Sequence, residues 1–241
     1  MSFFEGVRAL LQFSTILPVG RSADFEAFAK RSYLYPLAGY LIGAVAVLPL
    51  ILIPDPLAGA AVAIALLLLL SGCNHFDGLL DLGDGLMAHG SREIRIRALT
   101  DRQIGAGGVA MGLTITLISF GSLSALAAIP VVLLIAEVAS KASMATLTAL
   151  GAPFRDGIHS FLYERAQWWF LIPSWLLAMP LFLLPLPWLA ITVALGAAVS
   201  ATGILLYGAR RLFGGINGDL VGASNEIVRA VVLLTFVIML V

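Results

Sequence analysis

Apolar residues run along this chain in long unbroken stretches, and the polar residues gather between those stretches rather than alternating within them. A helix of about 20 apolar residues crosses the roughly 30 Å hydrocarbon layer of a bilayer. Such stretches predict spans at about 34–53, 57–76, 107–129, 131–150, 168–185 and 187–207, and a last one from about 223 to Val241. Proline punctuates the connections on one side, at Pro54-Asp55-Pro56, at Pro130 and at Pro185-Leu186-Pro187. The longer polar segments, about 77–106, 151–167 and 208–222, all fall on the other side. The expected fold is all-α, a polytopic helical membrane protein with about seven transmembrane helices, forming a single integral membrane domain over residues 1–241. The N-terminal stretch adds an interfacial or half-inserted helix. Glu5 and Arg8 interrupt its apolar run, and it lacks the basic-then-apolar order of a signal peptide.

Composition supports this reading. Hydrophobic residues make up 60% of the chain and charged residues 12%, whereas ordinary soluble domains are about one quarter charged. The formal net charge of zero gives no reason to expect a nucleic-acid partner. The lone cysteine, Cys73, excludes an intramolecular disulfide and is expected to be a small buried apolar residue. Lys and Arg in short loops mark the cytoplasmic side. Arg8, Arg21, Lys30, Arg31, Arg92, Arg95, Arg97, Arg102, Arg155, Arg165, Arg210 and Arg211 all fall on one side. That side is expected to face the cytoplasm from the cell membrane, with lipid as a general partner. Trp168, Trp169 and Trp188 suit the aromatic belts at the two interfaces.

The candidate chemistry begins with Asp77, Asp81 and Asp84. Their i, i+4, i+7 spacing puts the three carboxylates within about 60° of one another on a helix. Like charges this close repel, and a hard divalent cation such as Mg²⁺ relieves that repulsion while binding substrate phosphate oxygens. The competing reading is that Asp77-Gly78 and Asp84-Gly85 are turn dipeptides. His75 is open between a boundary residue and a substrate contact, since on the same helix it points away from the stripe. His89 and His159 are expected to be solvated loop residues.

Other residues on the same side extend the pattern. Asp101 and Arg102 directly precede the third span, and Arg92, Arg95 and Arg102 share a face if their segment is helical. Guanidinium groups suit a pyrophosphate, and equally an anionic lipid surface. Gly214-Gly215-Ile216-Asn217-Gly218-Asp219 precedes Glu226, which lies seven residues after Asp219 on the same helical face. Glycine-rich backbone at a helix start is a ready anion site. Glu137 and Lys141, at i, i+4 spacing inside the fourth span, are expected to pair or to face a polar cavity, because a charge at mid-bilayer costs about 2.5–3.5 kcal/mol. Arg229 in the last span is open to the same pairing or to snorkelling towards the boundary.

These segments, in this order, resemble cobalamin synthase, the adenosylcobinamide-GDP ribazoletransferase family. The resemblance runs through Phe13, Thr15 and Pro18, then Pro36, Gly39 and Gly43, and is most specific at His75, Asp77, Gly78, Leu79, Asp81, Asp84 and Gly85. It continues through Asp101, Gly105, Gly108, Ser140, Lys141, Arg155, Asp156 and Gly157, and closes on Gly214, Gly215, Gly218, Asp219, Gly222, Ala223 and Glu226. It implies attack by a ribose hydroxyl of α-ribazole, or of α-ribazole 5′-phosphate, on the cobinamide-side phosphorus of adenosylcobinamide-GDP, releasing GMP with Mg²⁺ as cofactor. Departures stand at Arg102, where the family usually has Ser, at Gln103, and at Arg229, where an acidic residue is common.

The resulting expectation is that Asp77, Asp81, Asp84, Asp219 and Glu226 bind metal. Asp84 is the favoured proton acceptor, with Asp101 closing the catalytic set. Lys141, Arg155, Arg102, Asn217 and His75 are expected to bind substrate. A CDP-alcohol type of membrane phosphotransferase or an ion-coupled transporter are the alternatives, and a homo-oligomer is left open.

Overall fold

The computed structural model describes residues 2–241. These form twelve α-helices and, among the described residues, no strand beyond one isolated bridge between Pro153 and Ile216. Five helical segments are long and apolar enough to cross a membrane: Ser32–Leu52, Ala106–Ala125, Val131–Leu150, Trp188–Leu212 and Gly218–Leu240. Two bent pairs, Pro56–Leu70 with Asn74–Met87 and Ile158–Arg165 with Trp168–Leu183, raise the number to seven if each is one span.

The chain starts with α1 (Phe3–Ser14) and the short α2 (Phe25–Ala29), an N-terminal helical hairpin. The first span is α3 (Tyr35–Leu52), and the expected proline turn leads into α4 (Pro56–Leu70). Asp55 caps α4 by accepting the Ala58 N–H at 2.7 Å, and Pro56 fills the first position, where no amide hydrogen is needed. At Gly72 and Cys73 both residues adopt positive φ, and the chain turns by 93° into α5 (Asn74–Met87). Cys73 is therefore an exposed left-handed turn residue and not the buried one expected. After α6 (Arg92–Leu99) come α7 (Ala106–Ala125) and α8 (Val131–Leu150).

Helix α8 is the centre of the molecule. Of its most apolar window 89% is buried, against 28% for α7 and 33% for α11 (Trp188–Leu212). It packs against α3, α11 and α12 (Gly218–Leu240), so its polar residues are forced to find partners inside protein. The expected span at 168–185 is broken. Pro173, Pro180 and Pro185 divide it into a 3₁₀ turn, α10 (Leu171–Leu176) and a second 3₁₀ stretch, after α9 (Ile158–Arg165).

Two glycines set the arrangement that matters for function. Helix α5 crosses the first turns of α7 and α12. A Cβ at Gly78 would lie 2.9 Å from the Asp219 Cα, and one at Gly83 would lie 2.6 Å from the Gly107 carbonyl oxygen. Only glycine allows these backbones to approach so closely. The crossing brings the start of α12 against the aspartate-bearing helix.

Candidate active site

The three stripe aspartates all lie on α5, as the spacing predicts. Asp77 is exposed and Asp81 half-buried. Asp219, in the first turn of α12, joins them across the Gly78 contact. Asp81 lies within electrostatic range of Asp219, Asp77, Asp84 and the Arg155 guanidinium, and Asp219 within range of Arg155 and Asp77. Arg155 is thus the cation facing this acidic group.

Local backbone hydrogen bonds position the set. The Ile216 N–H donates to the Ala152 carbonyl at 2.9 Å and the Phe154 N–H to the Ile216 carbonyl at 3.3 Å, tying the Arg155 loop to the Asn217 loop. Asn217 caps α12, its Oδ1 accepting the Leu220 N–H at 3.1 Å. Its Nδ2 donates to Asp219 Oδ2 at 2.6 Å and fixes that carboxylate. Asn217 is buried, so it acts through Asp219 more than on a ligand directly.

Asp77 and Asp219 open onto a cavity of about 270 Å³ whose other wall is apolar, with Phe13, Tyr35, Ile158 and Leu162. His75, His159 and Met144 also line it. A polar annex of about 220 Å³, lined by Arg155, Asp156, Asn217 and Asp219, shares Ile158, His159 and Gly218 with the first cavity. The N-terminal hairpin supplies part of the apolar wall. Phe13 packs on Phe25 with ring centroids 5.1 Å apart, Phe25 stacks on Phe161 of α9 at 5.7 Å, and Phe28 meets Tyr35 edge-on at 4.9 Å.

Several expected site residues are placed elsewhere. Each Asp84 oxygen accepts a backbone hydrogen bond, Oδ2 from the Gly105 N–H at 2.7 Å and Oδ1 from the Gly108 N–H at 2.8 Å. Asp84 therefore caps α7 from the neighbouring helix, satisfying two of the amide groups that a helix start leaves unpaired. Asp101 accepts the Gln103 N–H at 3.0 Å and borders a separate groove with Asp84 and Gly105; Arg102 is exposed and lines neither cavity. Arg95 donates to the Leu86 carbonyl at 2.9 Å and closes the C-terminus of α5.

Glu226 is not brought to the aspartates. It is buried and held by Arg229, which also donates to Glu137 at 2.9 Å. Arg229 is thus an interior cation shared by two carboxylates and does not snorkel. Glu137 does not pair with Lys141. Lys141 Nζ donates instead to Asn225 Oδ1 at 2.9 Å and lies 3.4 Å from His75 Nδ1, while Asn225 Nδ2 donates to Glu226 at 3.1 Å. Lys141 is fully buried and reaches the cavity through His75 and Met144, which line it. His75 itself faces the cavity, although its spacing from the stripe suggested the opposite.

His159 was missed. It is 3% exposed, not solvated, and lines both cavities. The only sequence signal was its closeness to Arg155-Asp156-Gly157. Among the described residues no group of three His, Cys, Asp or Glu side chains is set at metal-ligand spacing.

The fold and site define a class: a polytopic helical membrane protein with an acidic cavity, apolar on one wall, at the end of the bundle where α7 and α12 begin. Within that class the match is specific, since the profile of the cobalamin-5-phosphate synthase family covers residues 6–237. The chain belongs to this family. Among its relatives, the adenosylcobinamide-GDP ribazoletransferase of Methanocella arvoryzae is 34% identical over 261 aligned residues, covering 95% of this chain and 93% of the relative. The enzymes of the same name from Methanosarcina barkeri and Deinococcus radiodurans are 33% and 36% identical, over 99% and 95% of this chain and 94% and 84% of theirs. No solved structure matches the chain.

Proposed function

We propose that this protein transfers the adenosylcobinamide phosphate group of adenosylcobinamide-GDP to α-ribazole, or to α-ribazole 5′-phosphate, with release of GMP. The observation that carries this is the cavity itself, where Asp77 and Asp219 stand opposite an apolar wall of Phe13, Tyr35 and Leu162, with Arg155 in the adjoining annex and Asp81 within electrostatic range of all three charged groups. A transfer between a diphosphate and an aromatic nucleoside needs both surfaces. The names of the relatives supply the donor and the acceptor. The site faces the cytoplasm from the cell membrane, a reading supported by the Lys and Arg asymmetry.

The donor set fits Mg²⁺. Carboxylate oxygens are its preferred protein ligands, and it is commonly held by one or two carboxylates together with substrate phosphate oxygens and water. One or two of Asp77, Asp81 and Asp219 would hold it; Glu226 is held by Arg229, and Asp84 accepts two backbone amides. When bound, Mg²⁺ supplies the positive charge that stabilises the diphosphate and the departing GMP.

The chain's own residues do the rest. Arg155 attracts and orients phosphate oxygens beside Asp219. Asn217 keeps the Asp219 carboxylate turned towards Arg155 and Asp77. The apolar wall offers surface for the aromatic base of the nucleoside. The test is to mix the purified protein with adenosylcobinamide-GDP and α-ribazole, with and without Mg²⁺, and to measure GMP and the corrinoid product. Both products are expected in equal amounts, with Mg²⁺ only; neither product with active controls would overturn the reading. Inside the bundle Arg229 pairs with Glu137 and Glu226, and Lys141 is held by Asn225.

A further inference from the structure

We propose that a second pocket, lined by Lys30, Arg31 and Arg165, binds the headgroup of an anionic phospholipid. It has a volume of about 620 Å³ and shares no lining residue with the acidic cavity or its annex. That separation makes the site independent of the transfer proposed above. Two short stretches of sequence build it. Lys30 and Arg31 stand just before the membrane-crossing segment Ser32–Leu52, and Arg165 and Gln167 just before the segment Trp168–Leu183. Tyr33, Trp169 and Phe170, among the first residues of those two segments, supply the aromatic lining. Phe170 joins the two stretches, its ring centroid 5.0 Å from Tyr33 and 4.8 Å from Trp169.

The charge of the pocket says which headgroup. Three cations line it and no carboxylate does. Two carboxylates stand near: Glu26 lies 2.8 Å from Lys30 and 3.9 Å from Arg165, and Glu164 lies 3.4 Å from Arg165. These pairs are at the surface, where an ion pair contributes little, and three cations against two carboxylates leave an excess of positive charge. Arg165 is also set in place. Its guanidinium lies 3.6 Å over the Phe161 ring and donates to the Phe161 carbonyl at 3.1 Å. Guanidinium groups make strong charge-assisted hydrogen bonds to phosphate oxygens, and basic pockets between membrane helices hold anionic lipid headgroups.

The apolar surroundings say that the phosphate belongs to a lipid. Trp168 and Trp169 are exposed beside the pocket, and tryptophan gathers at the headgroup level of a bilayer. The segment leading away from Trp169 exposes Ile172, Leu176, Met179 and Leu183, apolar surface for acyl chains. Basic residues ahead of two apolar segments, aromatic rings where those segments begin and exposed aliphatic side chains beyond them follow the order of a phospholipid: phosphate, glycerol, hydrocarbon. A free phosphate would use only the first of these three layers.

The test uses the full-length protein in a neutral detergent, without substrates, and native mass spectrometry to measure binding of dioleoylphosphatidylglycerol and dioleoylphosphatidylcholine. The wild-type protein is expected to bind the anionic lipid more tightly than the zwitterionic one. The Lys30→Gln, Arg165→Gln double variant is expected to bind it about thirtyfold more weakly, the equivalent of about 1 kcal/mol for each basic residue. Arg97→Gln with Arg211→Gln removes the same two charges from exposed positions outside the pocket and is expected to bind as wild type does. A second measurement needs no variant. Phosphatidylglycerol carrying a photoreactive group on its headgroup is expected to label the wild-type protein within residues 30–33 and 165–170. Equal affinity for the two lipids, unweakened binding by the Lys30, Arg165 variant, or an equal loss in the Arg97, Arg211 variant overturns the proposal. So does displacement of the lipid by excess inorganic phosphate, which would make the pocket a free-anion site. Labelling confined to other segments overturns it as well, including where the Lys30, Arg165 variant fails to fold.

Discussion

Replacing Asp84 by Asn separates a carboxylate that holds helices together from one that handles substrate. Asp84 is half-buried and accepts two backbone hydrogen bonds, from Gly105 at 2.7 Å and Gly108 at 2.8 Å. Asn keeps one accepting oxygen but turns an amino group towards the other N–H, so one charge-assisted bond is lost and one donor is left unpaired. A hydrogen bond to a charged group contributes about 1.5–3 kcal/mol and loss of a helix cap costs about 1 kcal/mol. Partial solvent access reduces these values, which leaves an expected destabilisation of about 2 kcal/mol. The assay is reversible unfolding of the purified protein by SDS in mixed micelles, run beside Asp81→Asn. Asp81 makes no hydrogen bond among the described residues and sits among like charges, so its removal is expected to leave stability unchanged or slightly raised while turnover collapses. Wild-type stability in Asp84→Asn, with its effect confined to Mg²⁺ dependence, would refute this division of roles.

Other substitutions test the framework around the site. Arg229→Met leaves Glu137 and Glu226 buried without their shared cation; breaking a buried pair this way costs about 3–5 kcal/mol. Size-exclusion chromatography of the detergent-extracted protein is expected to show aggregation or a large loss of yield. Gly78→Val pushes α5 off α12 where a Cβ would already lie 2.9 Å from the Asp219 Cα. Overpacking of this kind costs about 1–3 kcal/mol, and turnover is expected to fall further than stability because Asp219 moves from Asp77. Arg155→Ala is expected to raise KM for the diphosphate substrate about tenfold and to weaken its salt dependence, since this exposed cation faces the acidic group without a close ion-pair partner. An unchanged KM would remove Arg155 from phosphate binding.

The general architecture was legible because apolar runs near 20 residues long have few alternatives to membrane helices. The aspartate spacing on α5 was equally readable, as helix periodicity alone puts residues 77, 81 and 84 on one face. What lay beyond the sequence was the long-range pairing. Nothing in the local pattern tells that Asp84 turns to the Gly105 and Gly108 amides, or that Arg229 takes Glu137 away from Lys141, since these depend on which helices become neighbours. Periodicity counted from α5 alone likewise misplaced His75, which meets the cavity because α12 and α8 close around it. His159 was hidden for a related reason: its segment reads as a polar loop, yet the bend between α9 and the following span folds it into the interior. Cys73 was misjudged because burial is the usual fate of a cysteine, whereas here a 93° turn required a left-handed residue at an exposed corner.

The central claim is that the cavity bearing Asp77 and Asp219, with Asp81 beside them, transfers the cobinamide-side phosphate to a nucleoside. The most direct measurement is a single turnover with adenosylcobinamide-GDP labelled separately at each of its two phosphates. The account predicts that the cobinamide-side label appears in the corrinoid product and the guanosine-side label in GMP, and that the Asp81→Asn, Asp219→Asn double variant produces neither. Guanosine-side label in the corrinoid product, or normal turnover by the double variant, would contradict it.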